Sequence, residues 1–411
     1  MINSELYTDR LREESQLLIS QRRQTFAESI ALRGVITVWS KQDLPSPDAG
    51  VITLEANKTY HFTRTIDLTG DRLVLAANTT IIGSSSENCR ILSTGLTGAA
   101  LITSEFSLPL RHITLEAEII FDLDASANPD QALDWLGVNF EGSSNMGTIK
   151  DYANFVALSL AFLGVSGLVL DGTFGTVAFD TTLFSGDALG AIITIPATAT
   201  IERRFRVIYS AVSVPTGGTG FDVSTSASIP IEGYILDSLN FSGTGTYVAG
   251  VQYDDNKARW VQNRGVTNSD AITGYYMHGN ATATVIAATG TPVKVAGTTT
   301  EISVSQRFTV TTTNRATYAG AIPRDFKATV ICSLAAGNNQ QVGIYVALNG
   351  SPLTESETYV TTNAGGRLEN GTCQVVTSLS DSDYIEVFVE NNTAIANITV
   401  EDLHIIVEAL N

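Results

Sequence analysis

The chain has 411 residues, 42 acidic against 24 basic side chains, a formal net charge of −18 and 44% apolar residues. That length suffices for two or three compact domains, each with its own core, and the apolar content excludes a disordered tail protein. The acidic balance, with only six lysines, excludes a nucleic-acid binder, because phosphate contacts need clustered Lys and Arg.

Residues 1–33 are the stretch with a helical rhythm. Five acidic side chains (Glu5, Asp9, Glu13, Glu14, Glu28) balance five basic ones (Arg10, Arg12, Arg22, Arg23, Arg33), and Leu11, Leu18, Thr25 and Leu32 recur every seven residues. This predicts an amphipathic α-helix of ~45 Å. Glu14, Gln21 and Glu28 interrupt the companion heptad positions, so the helix is expected to pack against its copies or a larger assembly. The segment has no apolar h-region, so no secretory signal is expected. Gly34 ends the helix, and 34–50 reads as a linker closing on the stiff turn Pro45-Ser46-Pro47-Asp48-Ala49-Gly50.

From 51 to 258 short apolar β runs alternate with Gly, Asn, Asp, Ser and Thr turns. Leu54-Glu-Ala-Asn57-Lys-Thr59 matches Leu75-Ala-Ala-Asn78-Thr-Thr80 at an offset of 21, and Ile52-Thr-Leu-Glu-Ala56 recurs as Ile113-Thr-Leu-Glu-Ala117 at an offset of 61. A period near ~20 with strands in each repeat predicts a β-solenoid, whose coils share one apolar column that no coil buries alone. Aliphatic residues are expected inside, with Asn and Gly at the corners; a β-sandwich is the alternative. The uncharged run Tyr152–Leu170 is expected to form two buried strands rather than a membrane span. Residues 259–280 form a junction, and 281–411 hold strand-like runs separated by turns such as Asn349-Gly350-Ser351-Pro352 and Gly365-Gly366. About eight such strands predict an antiparallel sandwich of jelly-roll size, with its last strand, Ile398–Ala409, inside a sheet. In one strand Ile385, Val387 and Val389 are expected to face one way, and Glu386, Phe388 and Glu390 the other.

The chemistry is sparse. The chain has no GxSxG, P-loop, HExxH or CxxC motif; Cys89, Cys332 and Cys373 define no disulfide framework or zinc site, and His61, His112, His278 and His404 stand apart in sequence. No catalytic, cofactor or metal residue is assigned, no cofactor is expected and no enzyme is expected. The sequons at Asn57, Asn78, Asn240, Asn280, Asn349, Asn370, Asn391 and Asn397 read as by-products of an Asn- and Thr-rich chain. Glycan cleavage needs two suitably spaced carboxylates. Asp122 with Asp124, and Glu116 with Glu118, alternate along strands and meet that need at ~7 Å, although both pairs also suit the solvated side of a strand whose Leu115, Ala117, Ile119, Phe121 and Leu123 point inward. Asp122 with Asp124, or Asp381 with Asp383, offers oxygen to calcium, which requires several further ligands. Tyr253-Asp-Asp-Asn-Lys-Ala-Arg-Trp260 and Gly274-Tyr-Tyr-Met-His-Gly279 set rings beside polar groups, as a sugar site would. The preferred reading is that Trp260, Tyr275 and Tyr276 seal an interface between domains or subunits.

The order of parts, with Val35-Ile-Thr-Val-Trp39 and Gly50-Val-Ile-Thr-Leu-Glu55 opening the solenoid, resembles the fibres and tailspikes of tailed-bacteriophage virions. Met277-His-Gly-Asn-Ala-Thr-Ala-Thr-Val-Ile286 and Thr291-Pro-Val-Lys-Val-Ala-Gly-Thr298 resemble the entry to a fibre tip similar to tumour-necrosis-factor-like jelly rolls. The resemblance implies a mainly β chain: an N-terminal α-helix (1–33) for virion attachment or oligomerisation, a right-handed parallel β-helix shaft and a C-terminal jelly-roll tip. It further implies a homotrimer on the tail or capsid exterior, made in the bacterial host cytoplasm. Its partners would be its own copies, other virion proteins through the helix, and a host receptor or glycan, with no nucleic acid and no membrane insertion. A capsid decoration or head fibre, and a polysaccharide depolymerase using a carboxylate pair, are the alternatives.

Overall fold

The computed structural model describes residues 34–128, 130–252, 255, 257–266, 269–320, 322–363 and 367–410. The chain divides into two units, Met1–Ile235 with Leu239–Val251 and Leu236–Ser238 with Gln252–Asn411.

In the first unit, alternation of apolar and polar residues folds each stretch of about 24 residues into one coil of three short parallel strands. The first face opens with Gly34–Val38 and Lys58–Phe62 and continues through Ala132–Leu136, Asn154–Leu158, Thr173–Asp180 and Thr200–Ile208. The second face has nine strands, from Val51–Leu54 to Thr246–Gly250, and the third has eight, from Ile66–Asp67 to Asn240–Gly243. Strict register stacks like on like. Tyr60, Ile81, Leu110, Trp135, Ala157, Phe179 and Val207 form one inward column of the first face, and all are buried. Leu115, Phe140, Phe162 and Phe184 do the same on the third face. The rings meet across the interior: Phe179 lies 5.2 Å from Phe155, 5.6 Å from Phe184 and 6.3 Å from Phe205 between centroids. Trp135 stacks on Phe121 at 4.8 Å.

The offset-21 match is a true coil repeat: Leu54 pairs with Leu75 and Thr59 with Thr80. Asn57 and Asn78 both turn the corner with φ near +60°, and Asn78 Nδ2 donates to Asn57 Oδ1 at 3.0 Å. The offset-61 match is not a coil repeat. Ile52 lies on the second face while Thr114–Glu116 belongs to the third, so the identical words occupy different faces. Strands of the second face begin at residues 51, 72, 100, 119, 145, 168, 191, 219 and 246, so a coil takes anything from 19 to 28 residues.

From residue 112 on, each passage from the first face to the third turns on a single left-handed residue: His112, Gly137, Ser159, Thr181, Tyr209 and Ser238 in successive coils. The N–H of each of the first four donates to the carbonyl that ends the first-face strand one coil on, as from Ser159 to Asp180 at 3.0 Å. Asn and Gly are therefore not the only corner residues; vertical hydrogen bonding holds bulkier ones there against a cost of roughly 1–2 kcal/mol. Tyr209, exposed at φ 49°, has the least to offset that strain. Tyr209→Asn is expected to stabilise the unit by about 1 kcal/mol, read as a raised urea midpoint; an unchanged or lowered midpoint would show that the tyrosine ring compensates for its backbone.

Over the described residues the fold class is corrected to all-β. Among the described residues there is no α-helix, only two single 3₁₀ turns, Lys41–Asp43 and Thr354–Ser356. The N-terminal α-helix was expected over 1–33, which lies outside the described residues. Gly34–Val38, expected in a linker, pairs in parallel with Lys58–Phe62. The run 152–170 forms three strands, not two, one on each face: Asn154–Leu158, Ala161–Leu163 and Leu168–Asp171. Gly164 and Gly167, both at positive φ, make the bend between the last two possible. No helix of the described residues is long and apolar enough to cross a membrane.

The second unit is antiparallel. One sheet sets Ile398–Ala409 between Ile272–Met277 and Arg324–Ala335, with Glu369–Leu379 beyond. The other sets Tyr384–Asn391 between Arg315–Tyr318 and Gln341–Leu348. A shared core that includes Tyr275, Phe326, Val330, Ile344, Val387 and Ile405 lies between them. Ile272–Met277, expected in the junction, is part of the first sheet. Ile385, Val387 and Val389 face the core as expected, but Glu386 and Glu390 on the opposite side are buried as well. Lys294 Nζ at 2.5 Å and Arg315 Nε at 3.0 Å hold Glu386, while the Tyr345 hydroxyl donates to Glu390 Oε1 at 2.6 Å.

Candidate functional site

Where the chain passes from the second face of the solenoid to the first, the corners of successive coils differ in length. The loop after Ile119–Asp124 runs long before Ala132–Leu136 resumes, whereas Gly172 alone separates Leu168–Asp171 from Thr173–Asp180. The mismatch leaves a groove of about 560 Å³. Ala125, Ser126 and Asp130 line it from one coil, Asp151, Ala153 and Asn154 from the next, then Thr173 and Gly175, then Glu202 and Arg203.

Two local devices place its charged groups. Asp151 is a left-handed corner residue (φ 58°) whose Oδ1 accepts the Thr173 N–H at 2.7 Å, which fixes the carboxylate at the groove wall. Its Oδ2 lies 3.8 Å from Lys150 Nζ. Glu202 and Arg203 are consecutive on a strand and would normally point to opposite sides. Phe174 pairs with Ile201 but Thr176 pairs with Arg204, so one extra residue bulges out here. Such a bulge re-aims side chains, and both Glu202 and Arg203 line the groove as a result. Gly175 sits opposite the bulge; a Cβ there would come within 2.6 Å of the Ala153 carbonyl oxygen.

The groove presents carboxylates, the Ser126 and Thr173 hydroxyls, the Asn154 amide and one guanidinium, and none of the ten lining residues is aromatic. That inventory suits a hydroxyl-rich ligand held by hydrogen bonds rather than by ring stacking.

The carboxylates singled out from sequence lie elsewhere. Asp122 and Asp124 both project outward from the second face, as the alternation predicted. Asp124 accepts the Ser126 N–H at 2.9 Å and faces Lys150 Nζ at 3.6 Å. The Ser126 hydrogen bond, with help from Lys150, holds its carboxyl below the usual range, which suits an acceptor and not a proton donor. Glu116 stacks in register on Glu141, and Arg90 bridges the two, reaching Glu141 at 2.8 Å. Glu118 is in the bend beyond that strand, so the two glutamates do not form a pair on one strand side. Asp383 holds a turn, accepting from the Ser380 N–H at 2.8 Å and from Asn349 Nδ2 at 2.7 Å. Among the described residues no group of His, Cys, Asp or Glu is arranged to hold a metal ion. Tyr253, Asp254 and Asn256 lie outside the described residues. Tyr275 is in the core of the second unit, its hydroxyl donating to the Asn314 carbonyl at 3.2 Å, and Tyr276 stacks on His404 at 5.6 Å.

Sequence reasoning missed Asp130, Asp151, Glu202 and Arg203. The readable signal was the run Glu202-Arg203-Arg204, three consecutive charges that break the alternation of a strand.

Burial pushes the Asp180 carboxyl up, against the pull of the Thr181 hydrogen bond and Arg206. Asp180 ends a first-face strand and does not line the groove. With the folded value above the unfolded one, its penalty to folding is absent below about pH 3.9 and grows as the pH rises through the folded value. Asp180→Asn is therefore expected to stabilise the chain at neutral pH and to change nothing near pH 3. Urea titrations at the two pH values check this; an equal effect at both would mean that the gain is not electrostatic.

No family model matches the chain, and no curated protein matches it. Solved structures that resemble it include the Eiger TNF from S. frugiperda, at 12% identity and TM-score 0.23, over 34% of this chain and 92% of that one. Two others are enzymatically active domains of bacteriophage CBA120 tailspikes. Tailspike protein 4 is 10% identical with TM-score 0.21 over 86% of this chain and 64% of that one. Tailspike protein 2 is 10% identical with TM-score 0.27 over 90% of this chain and 74% of that one. At these TM-scores the likenesses are slight.

Proposed function

We propose that this chain is a bacteriophage virion protein, a homotrimeric tail fibre or spike on the outside of the particle that attaches it to the host surface. The observation that carries the reading is the polar groove of about 560 Å³ across four stacked coils. It offers fixed hydrogen-bonding groups to an extended, hydroxyl-rich chain such as a surface glycan. The order of parts supports it: a parallel solenoid followed by an antiparallel two-sheet unit is what the fibre resemblance implies, with the second unit as the jelly-roll tip. A capsid decoration or head fibre has the same parts, and labelling the tip on intact particles separates the two locations.

The test uses the full chain. Labelled protein is expected to bind host cells and to compete with particle adsorption, and Arg203→Ala with Glu202→Ala is expected to weaken that binding at least tenfold. Wild-type protein that neither binds nor competes would overturn the attachment role.

A second reading, polysaccharide depolymerase, is favoured by one observation: the bulge brings Glu202 to the same groove as Asp151 and Asp130. Two carboxyls flanking a glycosidic bond are what such hydrolysis requires. Release of reducing ends from host polysaccharide, abolished by Glu202→Gln with binding retained, would establish it; binding without release leaves attachment as the function.

A further inference from the structure

The strand Thr200–Ile208, at one end of the groove, holds Arg203, Arg204 and Arg206 in a chain of net charge −18. Phe205 and Val207 are buried in the solenoid, so Arg204 and Arg206 project outward by alternation, ~7 Å apart along the strand. The bulge brings Arg203 out at the groove beside them. The residues stacked in register with these two are uncharged: Thr176 and then Asn154 next to Arg204, Ala178 and then Val156 next to Arg206. Arg206 has the Asp180 carboxylate as an electrostatic neighbour. Arg203 and Arg204 are exposed, and neither makes an ion pair or hydrogen bond with another described residue. Glu202 beside them is unpaired as well, so it does not neutralise either guanidinium by contact.

We propose that Arg203 and Arg204 bind an anionic substituent, a carboxylate or a phosphate, on a polysaccharide whose hydroxyl-rich body lies in the groove. Like charges set side by side destabilise a sheet, and nothing within the described chain offsets that cost at these two residues. An anion does. Guanidinium groups present a planar fork that matches the oxygens of carboxylate and phosphate alike. The rest of the lining sets the orientation. Asp130 and Asp151, on the coils at the other end, repel an anion and accept hydrogen bonds from sugar hydroxyls. The charged substituent is thereby driven to the arginine end. The acidity of the whole chain sharpens the choice, because a polyanion repelled by the rest of the surface is held only where cations stand without partners.

The proposal rests on the glycan reading of the groove above, and Arg204, which does not line the groove, keeps the two separable. Host surface polysaccharide is split by anion exchange into a retained, acidic fraction and an unretained, neutral one, and each is end-labelled and titrated with full-length chain. Wild type is expected to bind the retained fraction, and to bind it at least about tenfold more weakly at high salt. Arg204→Gln is expected to bind that fraction at least about fivefold more weakly than wild type. Arg204→Lys, which keeps the charge and loses the fork, is expected to fall between them. Reducing carboxylates to alcohols after carbodiimide activation, or removing phosphate esters with cold hydrofluoric acid, is expected to abolish binding in one arm and so to name the anion. Binding that survives both treatments, binding confined to the neutral fraction, or an Arg204→Gln variant that binds as wild type does overturns the proposal and leaves the groove reading standing. Binding to neither fraction overturns the groove reading and the proposal with it. Arg204 is exposed, so circular dichroism is expected to be unchanged; should Arg204→Gln misfold, a weakened or unweakened Arg204→Lys decides by the same titration.

Discussion

Phe179→Ala is expected to destabilise the solenoid by about 4 kcal/mol, toward the upper end of single-residue core truncations. Phe179 is fully buried near the middle of the stack, and its ring meets Phe155, Phe162, Phe184 and Phe205. These neighbours come from the coil before, its own coil and the coil after. Truncation thus removes contacts on both sides of one coil at once, in an architecture whose stability is a sum of such nearest-neighbour terms. The surrounding rings hang from hydrogen-bonded strands in fixed register and have little room to collapse into the void. Phe179→Leu, which keeps most of the volume, is expected to cost less than about 2 kcal/mol. Urea unfolding followed by tryptophan fluorescence measures both, since Trp135 lies in the same core. A cost under ~1 kcal/mol for the alanine variant would mean that the ring column is not what binds the coils together.

The second large effect is in the antiparallel unit. Lys294→Met together with Arg315→Met is expected to cost about 3 kcal/mol, because it strands the Glu386 carboxylate inside the protein. Glu386 is almost wholly buried, whereas its two cations are partly solvated. Removing the cations is therefore expected to be worse than removing the acid: Glu386→Ala leaves Lys294 and Arg315 free to hydrate. Arg315 also lies 3.9 Å above the Tyr384 ring, which adds a smaller loss of about 1 kcal/mol. Adding Glu386→Gln to the double variant is expected to recover most of the stability, and the thermal midpoints of wild type, the double variant, Glu386→Gln alone and the combined variant complete the cycle. If the added glutamine recovers nothing, packing and not the stranded charge accounts for the loss.

Much of the fold is legible in the sequence because strand patterning is local. The inward positions Leu115, Phe121 and Leu123, the outward Asp122 and Asp124, the Asn57 and Asn78 corners and the long final strand all follow from alternation and turn chemistry. The exact repeat was less reliable than the texture. The near match at 21 is a coil, and the perfect match at 61 is not, since each face needs the same apolar–polar words and the words do not record which face they serve. The burial of Glu386 and Glu390 was hidden for a similar reason. Alternation assigns them a side of the sheet; what covers that side comes from Lys294, Arg315 and Tyr345, distant in sequence.

By itself the sequence determined an acidic, all-strand character from 51 onward, parallel coils giving way to antiparallel strands, and which side of most strands faces a core. Only the tertiary structure decided the groove and its residues. Coils of 19 to 28 residues are brought into register by hydrogen bonds between backbone groups a whole coil apart, and the slack between unequal corners has to go outward. That slack opens the groove, and the single extra residue at Glu202–Arg203 aims both side chains at it. Neither consequence is written in any one stretch of chain, because each is a difference between neighbours in the stack.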